Sequence, residues 1–337
     1  MGVNLKDIVP KKEISFDSLK HKKVAIDAFN SLYQFLASIR GADGTPLKDS
    51  KGRITSHLQG LFSRSLNLMA KGVKIVYVFD GEPPALKGGE IASRISRKEE
   101  AGGKYKEAIQ EEDVDAMNKY AKQNLRLTEP MLEEAKELVR ALGLPCVEAP
   151  SEADAQMVWM CKNGDVDYIA STDYDGILLG VLRLVRNLTL SQRRKVPGGK
   201  YVTTFLELIE TKEVLSSLEL DQDHLIALGM LVGTDYNPGG VRGIGPKKAL
   251  TLVRKHEDIN DIFKEVDITN WKEIYNLFVD PKFSKEYKLE WNEIDIDKIK
   301  DLLVKRHEFN EERVDNLIAK YKDECKDHDQ KGLSEFF

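Results

Sequence analysis

Four short apolar runs punctuate the chain, and each ends in acid. KKVAIDAFN climbs to Asp27, and VKIVYVFDGEPP ends at Asp80 with a Gly-Glu-Pro-Pro breaker behind it. GLPCVEAPSEADAQ reads as a short strand, a proline, and then Glu152 and Asp154 opening a helix. DYIASTDYDG rises through a fourth apolar run and presents Asp173 and Asp175. Between the runs, apolar residues recur at helical spacing over residues 54–71, 129–142 and 151–163. Such alternation predicts an α/β fold with a parallel sheet and helices on both faces. Right-handed crossovers then bring every strand C-terminus to one edge, where α/β sheets place their sites.

The last of these runs poses an electrostatic question. In an extended segment, residues two apart point to the same side. Asp173 and Asp175 would then repel each other, and DYIASTDYDG contains no Lys, Arg or His to offset the charge. Water, a distant cation or a metal must do so. Taken singly, an aspartate after a strand serves equally as a turn residue or a helix cap. Ser151 and Asp154 also have the spacing of a capping box. Repetition shifts the balance, because six carboxylates gathered on one edge repel one another without cations. An all-oxygen set without His or Cys suits Mg²⁺ or Mn²⁺ rather than zinc.

A seventh carboxylate, Asp235, stands in LGMLVGTDYNPGGVRGIGPKKAL, after an apolar helix and before a Gly/Pro-rich turn. Gly243-Ile244-Gly245-Pro246 then leads into Lys247 and Lys248. A Gly-x-Gly turn opening a helix offers free backbone N–H groups to an anion, and proline suits the first helical position. With Arg242 before it, the stretch reads as a helix–hairpin–helix phosphate clamp; a plain tight turn remains the alternative.

Composition refines this picture. The 337 residues suffice for one large domain or two modest ones, and 41% hydrophobic content supports a core. Charged residues reach 32%, above the usual level of about a quarter. Three cysteines, Cys146, Cys161 and Cys325, lack CxxC spacing, so neither a disulfide framework nor a zinc site is expected. No apolar run approaches the roughly 18 residues of a membrane span, and MGVNLKDIVPKKE has no signal-peptide core. A soluble intracellular protein is expected. The net charge of −5 argues mildly against a nucleic-acid partner. Its distribution argues the other way: residues 183–200 carry six basic side chains and residues 242–255 carry five, with no acid in either tract.

Six blocks in order, AIDAFNSLYQFL, GRITSHLQGLF, VYVFDGEPP, APSEADAQ, DYDGILLG and LVGTDYNPGGVRGIGPKKAL, resemble those of archaeal and eukaryotic flap endonucleases, members of the XPG-like structure-specific 5′ nuclease family. The resemblance runs from Met1 to Phe337. It implies a PIN-like, mostly parallel sheet flanked by helices, a helical arch and a helix–hairpin–helix region. On this basis residues 1–330 form one nuclease domain: an N-terminal part (1–82), the arch (83–128), an internal part (129–255, with the hairpin at about 225–255) and a C-terminal helical part (256–325). Residues 326–337 form a flexible tail. The implied activity is cleavage of 5′ DNA flaps at the single-strand/double-strand junction, with 5′-3′ exonuclease activity, in Okazaki fragment maturation and repair. The implied cofactor is two Mg²⁺ per site, with Mn²⁺ able to substitute. The metal carboxylates are Asp27, Asp80, Glu152, Asp154, Asp173, Asp175 and Asp235. Two departures stand out: the family usually has Glu where Asp154 stands, and Ser-Leu where Gly176 and Ile177 stand, a tolerated packing variation in which the glycine can loosen the segment after Asp175.

The resemblance assigns further roles. Lys87 and Arg94, seven residues apart and so able to share a helix face, match basic arch residues facing the scissile phosphate. Glycine pairs 88–89 and 102–103 weaken a helix there, as in an arch that orders on substrate. Tyr33 matches an aromatic that stacks on a base, and Gly2, Arg40, Arg64, Gly243, Gly245, Lys247 and Lys248 match DNA contacts. In the tail, Gln330, Leu333, Phe336 and Phe337 resemble the box that binds the sliding clamp (PCNA). A monomer, free of membranes, is implied. The absence of basic residues after Phe337 leans towards an archaeal cytoplasm over a nucleus. Two rivals remain: a catalytically silent, clamp-tethered junction binder, and a related 5′ exonuclease or PIN-type ribonuclease.

Overall fold

A computed structural model describes residues 3–41, 44–110, 125–190, 193–195, 201–266, 268 and 270–334. The strands are β1 (Lys12–Ile14), β2 (Lys23–Asp27), β3 (Lys74–Phe79), β4 (Cys146–Glu148), β5 (Tyr168–Ala170), β6 (Arg183–Arg186), β7 (Arg193–Lys195), β8 (Tyr201–Thr203) and β9 (Leu206–Glu210). The helices of the first half are α1 (Ala28–Ser38), α2 (Ser56–Ala70), α3 (Gly88–Gln110), α4 (Glu129–Ala141), α5 (Ala153–Lys162) and α6 (Asp175–Leu178). Those of the second are α7 (Thr211–Leu218), α8 (Gln222–Val232), α9 (Pro246–Lys255), α10 (Ile259–Val266), α11 (Trp271–Val279), α12 (Ile296–Lys300) and α13 (Glu311–Ser334).

Seven strands form one sheet in the order β1-β9-β6-β5-β2-β3-β4. The pairs β2–β3, β2–β5, β3–β4 and β5–β6 are parallel, so the expected mostly parallel sheet is present. The pairs β6–β9 and β1–β9 are antiparallel. Strand–helix alternation did not announce them, because β1 is only KEI and β9, LELIE, has no long apolar run.

Side chains alternate across the central strands. Val24, Ile26, Ile75, Tyr77 and Phe79 enter a layer formed with α1, α2, α4 and parts of α12 and α13. Ala25, Val76 and Val78 enter the opposite layer with α5 to α11. Burial on both faces explains why these strands read as continuous apolar runs. Each fully buried Val, Leu, Ile or Phe contributes about 1.5–3 kcal/mol.

Three local expectations are corrected. Strand β5 stops at Ala170, so Asp173 lies in a bend and Asp175 starts α6; the two are not alternate residues of one extended strand. The Ser151–Asp154 capping box does not form: the helix cap falls at Glu152 with no side-chain cap bond, and Ser151 Oγ donates to the Glu82 carbonyl. Gly176 does not loosen its segment: a Cβ there would lie 2.8 Å from Ile169 Cδ1, so its small size seats α6 on β5. Helix α3 also runs unbroken through Gly88, Gly89, Gly102 and Gly103. No helix among the described residues is long and apolar enough to cross a membrane.

Candidate active site

The parallel strands end on one side of the sheet, and the acids that follow them meet there. Asp27 ends β2 and caps α1, its Oδ1 accepting the Asn30 N–H at 2.9 Å. Asp80 follows β3 and accepts the Ala153 N–H at 2.6 Å, so one strand's acid caps the helix that follows the next strand. Gly81 permits this approach: its N–H donates to the Ser151 carbonyl at 2.6 Å, and a Cβ would stand 2.1 Å from the Ala149 carbonyl oxygen. Glu152 occupies the cap position of α5, and Asp154 lies in its first turn. Asp175 accepts the Val3 N–H at 2.8 Å. Asp235 follows α8.

All seven carboxylates line one cavity of about 180 Å³, together with Lys87 and Arg94. Asp80 is exposed, and the other six acids are partly buried. Burial, with Asp80 and Asp173 adding to it, pushes Asp27 up to about 8. Burial raises Asp175 to about 7 and drives Asp80 and Asp154 upward as well. Burial also works to raise Asp235, but Lys87 and Arg94 outweigh it and hold Asp235 below the usual carboxylate range.

The arch therefore supplies the cations that the strand ends lack. Lys87 pairs with Glu152, and its Nζ lies 3.2 Å from Asp235. Arg94 Nη2 donates to Asp235 at 2.9 Å, while its Nε pairs with Glu90. Both side chains reach Asp235, although Lys87 belongs to the 3₁₀ turn Ala85–Lys87 that precedes α3. Among the described residues, no group of three or more His, Cys, Asp or Glu is gathered tightly enough to form a ready-made metal cage. The donor set nevertheless fits a hard cation: it is all oxygen, the cavity is polar, and the buried Oδ1 of Asp154 has no hydrogen-bond partner.

Other assigned residues lie around this centre. Tyr33 faces α3, with Lys98 Nζ 4.6 Å from its ring centroid and 3.1 Å from its hydroxyl. Arg40 donates to the carbonyls of Ala37 and Gly44, bracing the turn between α1 and α2. Burial lowers the pKa of the half-buried Arg64. Helix α8 packs on α9, with Gly243 at φ +83° and Gly245 capping α9 between them, so the helix–hairpin–helix is present. Lys247 and Lys248 are exposed at that N-terminus, and Lys248 Nζ lies 3.1 Å from the Gly243 carbonyl. Gly2, Phe336 and Phe337 lie outside the described residues, as do the side chains of Gln330 and Leu333.

Two site residues escaped the sequence reading. Asn30 exchanges hydrogen bonds with Thr172 Oγ1 at 2.8 and 3.0 Å and reaches Asp173 at 3.4 Å. The Tyr236 hydroxyl donates to Glu152. Their signals were faint: each is a polar neighbour of a predicted acid, in DAFN and TDY, with no pattern of its own.

A mostly parallel sheet with an acid-lined edge, Lys87 and Arg94 over that edge and a helix–hairpin–helix beside it define a PIN-like nuclease fold. Comparisons agree and narrow the class. The XPG N-terminal domain model matches residues 1–101, and the XPG I-region model matches residues 143–235. Flap endonuclease 1 of Hyperthermus butylicus is 48% identical over 336 residues, covering 97% of this chain and 96% of that protein. The solved flap endonuclease-1 from Methanococcus jannaschii superposes with a TM-score of 0.78 at 43% identity, covering 97% of this chain and all of that one. The catalytic core of Rad2 in complex with DNA substrate shares the fold, with a TM-score of 0.71 at 22% identity over 95% of this chain and all of its own. The chain belongs to the flap endonuclease family.

Proposed function

We propose that the protein is a structure-specific 5′ nuclease that hydrolyses a DNA phosphodiester where a 5′ flap meets duplex, with 5′-3′ exonuclease activity. The observation that carries this reading is the single cavity in which seven carboxylates face Lys87 and Arg94. Family membership and the adjoining helix–hairpin–helix support it.

Asp27, Asp80, Glu152, Asp154, Asp173, Asp175 and Asp235 would hold two Mg²⁺, or Mn²⁺ in their place. When bound, the metals supply a nucleophile at neutral pH and stabilise charge on the phosphodiester. The chain's own residues do the rest. Lys87 and Arg94, now paired with Glu152 and Asp235, carry the charge to meet a scissile phosphate as it enters. Tyr33 offers a face for a base beside the cut; such stacking contributes about 1–3 kcal/mol. Free N–H groups at the start of α9, with Lys247 and Lys248, hold the duplex backbone, while Arg40, Arg64 and Gly2 add further contacts. Residues 83–128 act as the arch over the flap, within one nuclease domain spanning 1–330. Gln330, Leu333, Phe336 and Phe337 bind the sliding clamp (PCNA), which places the enzyme, as a monomer in an archaeal cytoplasm, in Okazaki fragment maturation and repair.

The test is cleavage of a labelled 5′-flap substrate with Mg²⁺ or EDTA, comparing wild type with Asp175→Ala. We expect a metal-dependent cut near the junction that the variant loses. Tight flap binding without any cut in Mg²⁺ would favour the silent junction binder instead. Preferential cutting of RNA would favour the PIN-type ribonuclease.

A further inference from the structure

Asp173 sits on a bend between β5 and α6, Asp175 opens α6, and neither strand nor helix geometry holds the bend between them in place. Two carboxylates that repel each other need a rigid support. The support lies behind the bend, on the side away from the cavity. Arg186, the last residue of β6, donates from Nε and Nη2 to the Thr172 carbonyl at 3.2 and 2.9 Å. Its Nη1 donates to the Tyr174 hydroxyl at 2.7 Å and to Glu207 at 2.9 Å. Its guanidinium carbon lies 4.3 Å from the centroid of the buried Tyr174 ring. A single side chain thus grips the residues on either side of Asp173 and the residue before Asp175.

The charge balance suits this task. Glu207 faces Arg186 across the antiparallel β6–β9 pair, and Lys11 Nζ lies 2.7 Å from its other oxygen. The guanidinium is therefore neutralised from the neighbouring strand. It adds no ion pair to the acids in front, which stay available to a cation. Asn30 completes the hold by pairing with the Thr172 side chain from α1. Only a planar, five-donor group makes these bonds together; a lysine ammonium at the same site is a point charge on a flexible stem.

We propose that Arg186 is a positioning residue: it latches the Thr172 carbonyl and the Tyr174 side chain so that Asp173 and Asp175 keep the spacing a divalent cation requires. This rests on the nuclease reading only for its effect on cleavage; the effect on metal affinity stands by itself. Residues that orient metal ligands from behind typically change affinity by about 10–100-fold when replaced.

The experiment measures Mn²⁺ binding by calorimetry and by electron paramagnetic resonance on the full-length protein without DNA, for wild type, Arg186→Lys and Arg186→Met. Thermal midpoints are recorded alongside. Mn²⁺ affinity should fall by about 10–100-fold in both variants. In flap cleavage at low Mn²⁺, kcat should fall with KM for DNA nearly unchanged, and high Mn²⁺ should restore the rate. Lowered thermal midpoints with unchanged Mn²⁺ affinity would overturn the proposal, leaving Arg186 a purely structural residue. If Arg186→Met does not fold, Arg186→Lys decides alone, because it keeps the charge and loses only the fork. Failure of the wild type to cut flaps would overturn the nuclease reading and leave the Mn²⁺ result intact as a test of the latch.

Discussion

At the residue scale, several acids serve two purposes at once. Asp27 and Asp80 each spend one oxygen on a helix N–H, at 2.9 and 2.6 Å, and turn towards the shared cavity. The cap and the metal ligand are not rival readings of these residues, because a carboxylate has two oxygens. The cost is electrostatic and depends on pH. Asp27 moves from 3.8 to about 8 and Asp175 from 3.8 to about 7, both mainly through burial. Between about pH 4 and 8 the folded, metal-free protein therefore binds protons more tightly than the unfolded chain. The stability these groups contribute is complete below pH ~4 and is lost as pH rises through their folded values. The thermal midpoint of the metal-free protein should fall between about pH 5.5 and 8.5, and Asp27→Asn should flatten that fall. The same variant should lose at least about 100-fold in flap cleavage, because it withdraws a charged ligand. A pH profile identical to wild type would show that Asp27 ionises at its ordinary value.

At the element scale, glycines separate into those that matter for packing and those that do not. Gly81 lies where the end of β3 meets the entry to α5, with backbone where a Cβ would go. Gly81→Ala should destabilise by about 1–3 kcal/mol and loosen Asp80 from α5. Gly103, inside α3, has open space around it. Gly103→Ala should strengthen α3 by about 0.5–1 kcal/mol, read as slower hydrogen exchange across Gly88–Gln110. If exchange there stays unchanged, the glycine does not limit the order of this helix. Most helices and the parallel strands were legible because hydrophobic period reports which face is buried. Strands β1 and β9 were not, because three residues in one and no long apolar run in the other leave almost no periodic signal. The bend carrying Asp173 and Asp175 was misread as extended because composition alone does not reveal where a strand stops. The glycine at position 176 was misread for a related reason: its role is set by Ile169, a neighbour in space.

At the scale of the whole molecule, ion pairs from Lys87 and Arg94 tie the start of α3 to the acid edge and offset only part of its charge. Lys87 and Arg94 bind Glu152 and Asp235, so the arch base is tied to the sheet edge through ion pairs. Divalent metal and these two side chains compete for the same oxygens. Mg²⁺ should raise the thermal midpoint most at pH 8, where metal-free acids are most strained, and should release protons on binding at pH 7. Calorimetry in buffers of different ionisation enthalpy reads that release directly; a buffer-independent enthalpy would mean the acids were already ionised. Removing residues 330–337 should abolish sliding-clamp binding and leave cleavage of bare flaps nearly unchanged, measured by clamp pull-down beside the flap assay.

The sequence alone determined the donors and the edge on which they meet. Apolar runs ending in acid, with right-handed crossovers, leave the strand-end carboxylates little choice of side. The helix–hairpin–helix was equally legible, since its turn chemistry is local. Tertiary structure alone decided which cations meet the acids and which side chains contact the bend beside them. Arg94 meets Asp235 across 141 residues, and Arg186 grips Thr172 from a neighbouring strand. Such pairings depend on distances in the folded chain that no local pattern encodes. A basic residue in sequence looks the same whether it will face a phosphate, neutralise an acid or brace a loop from behind.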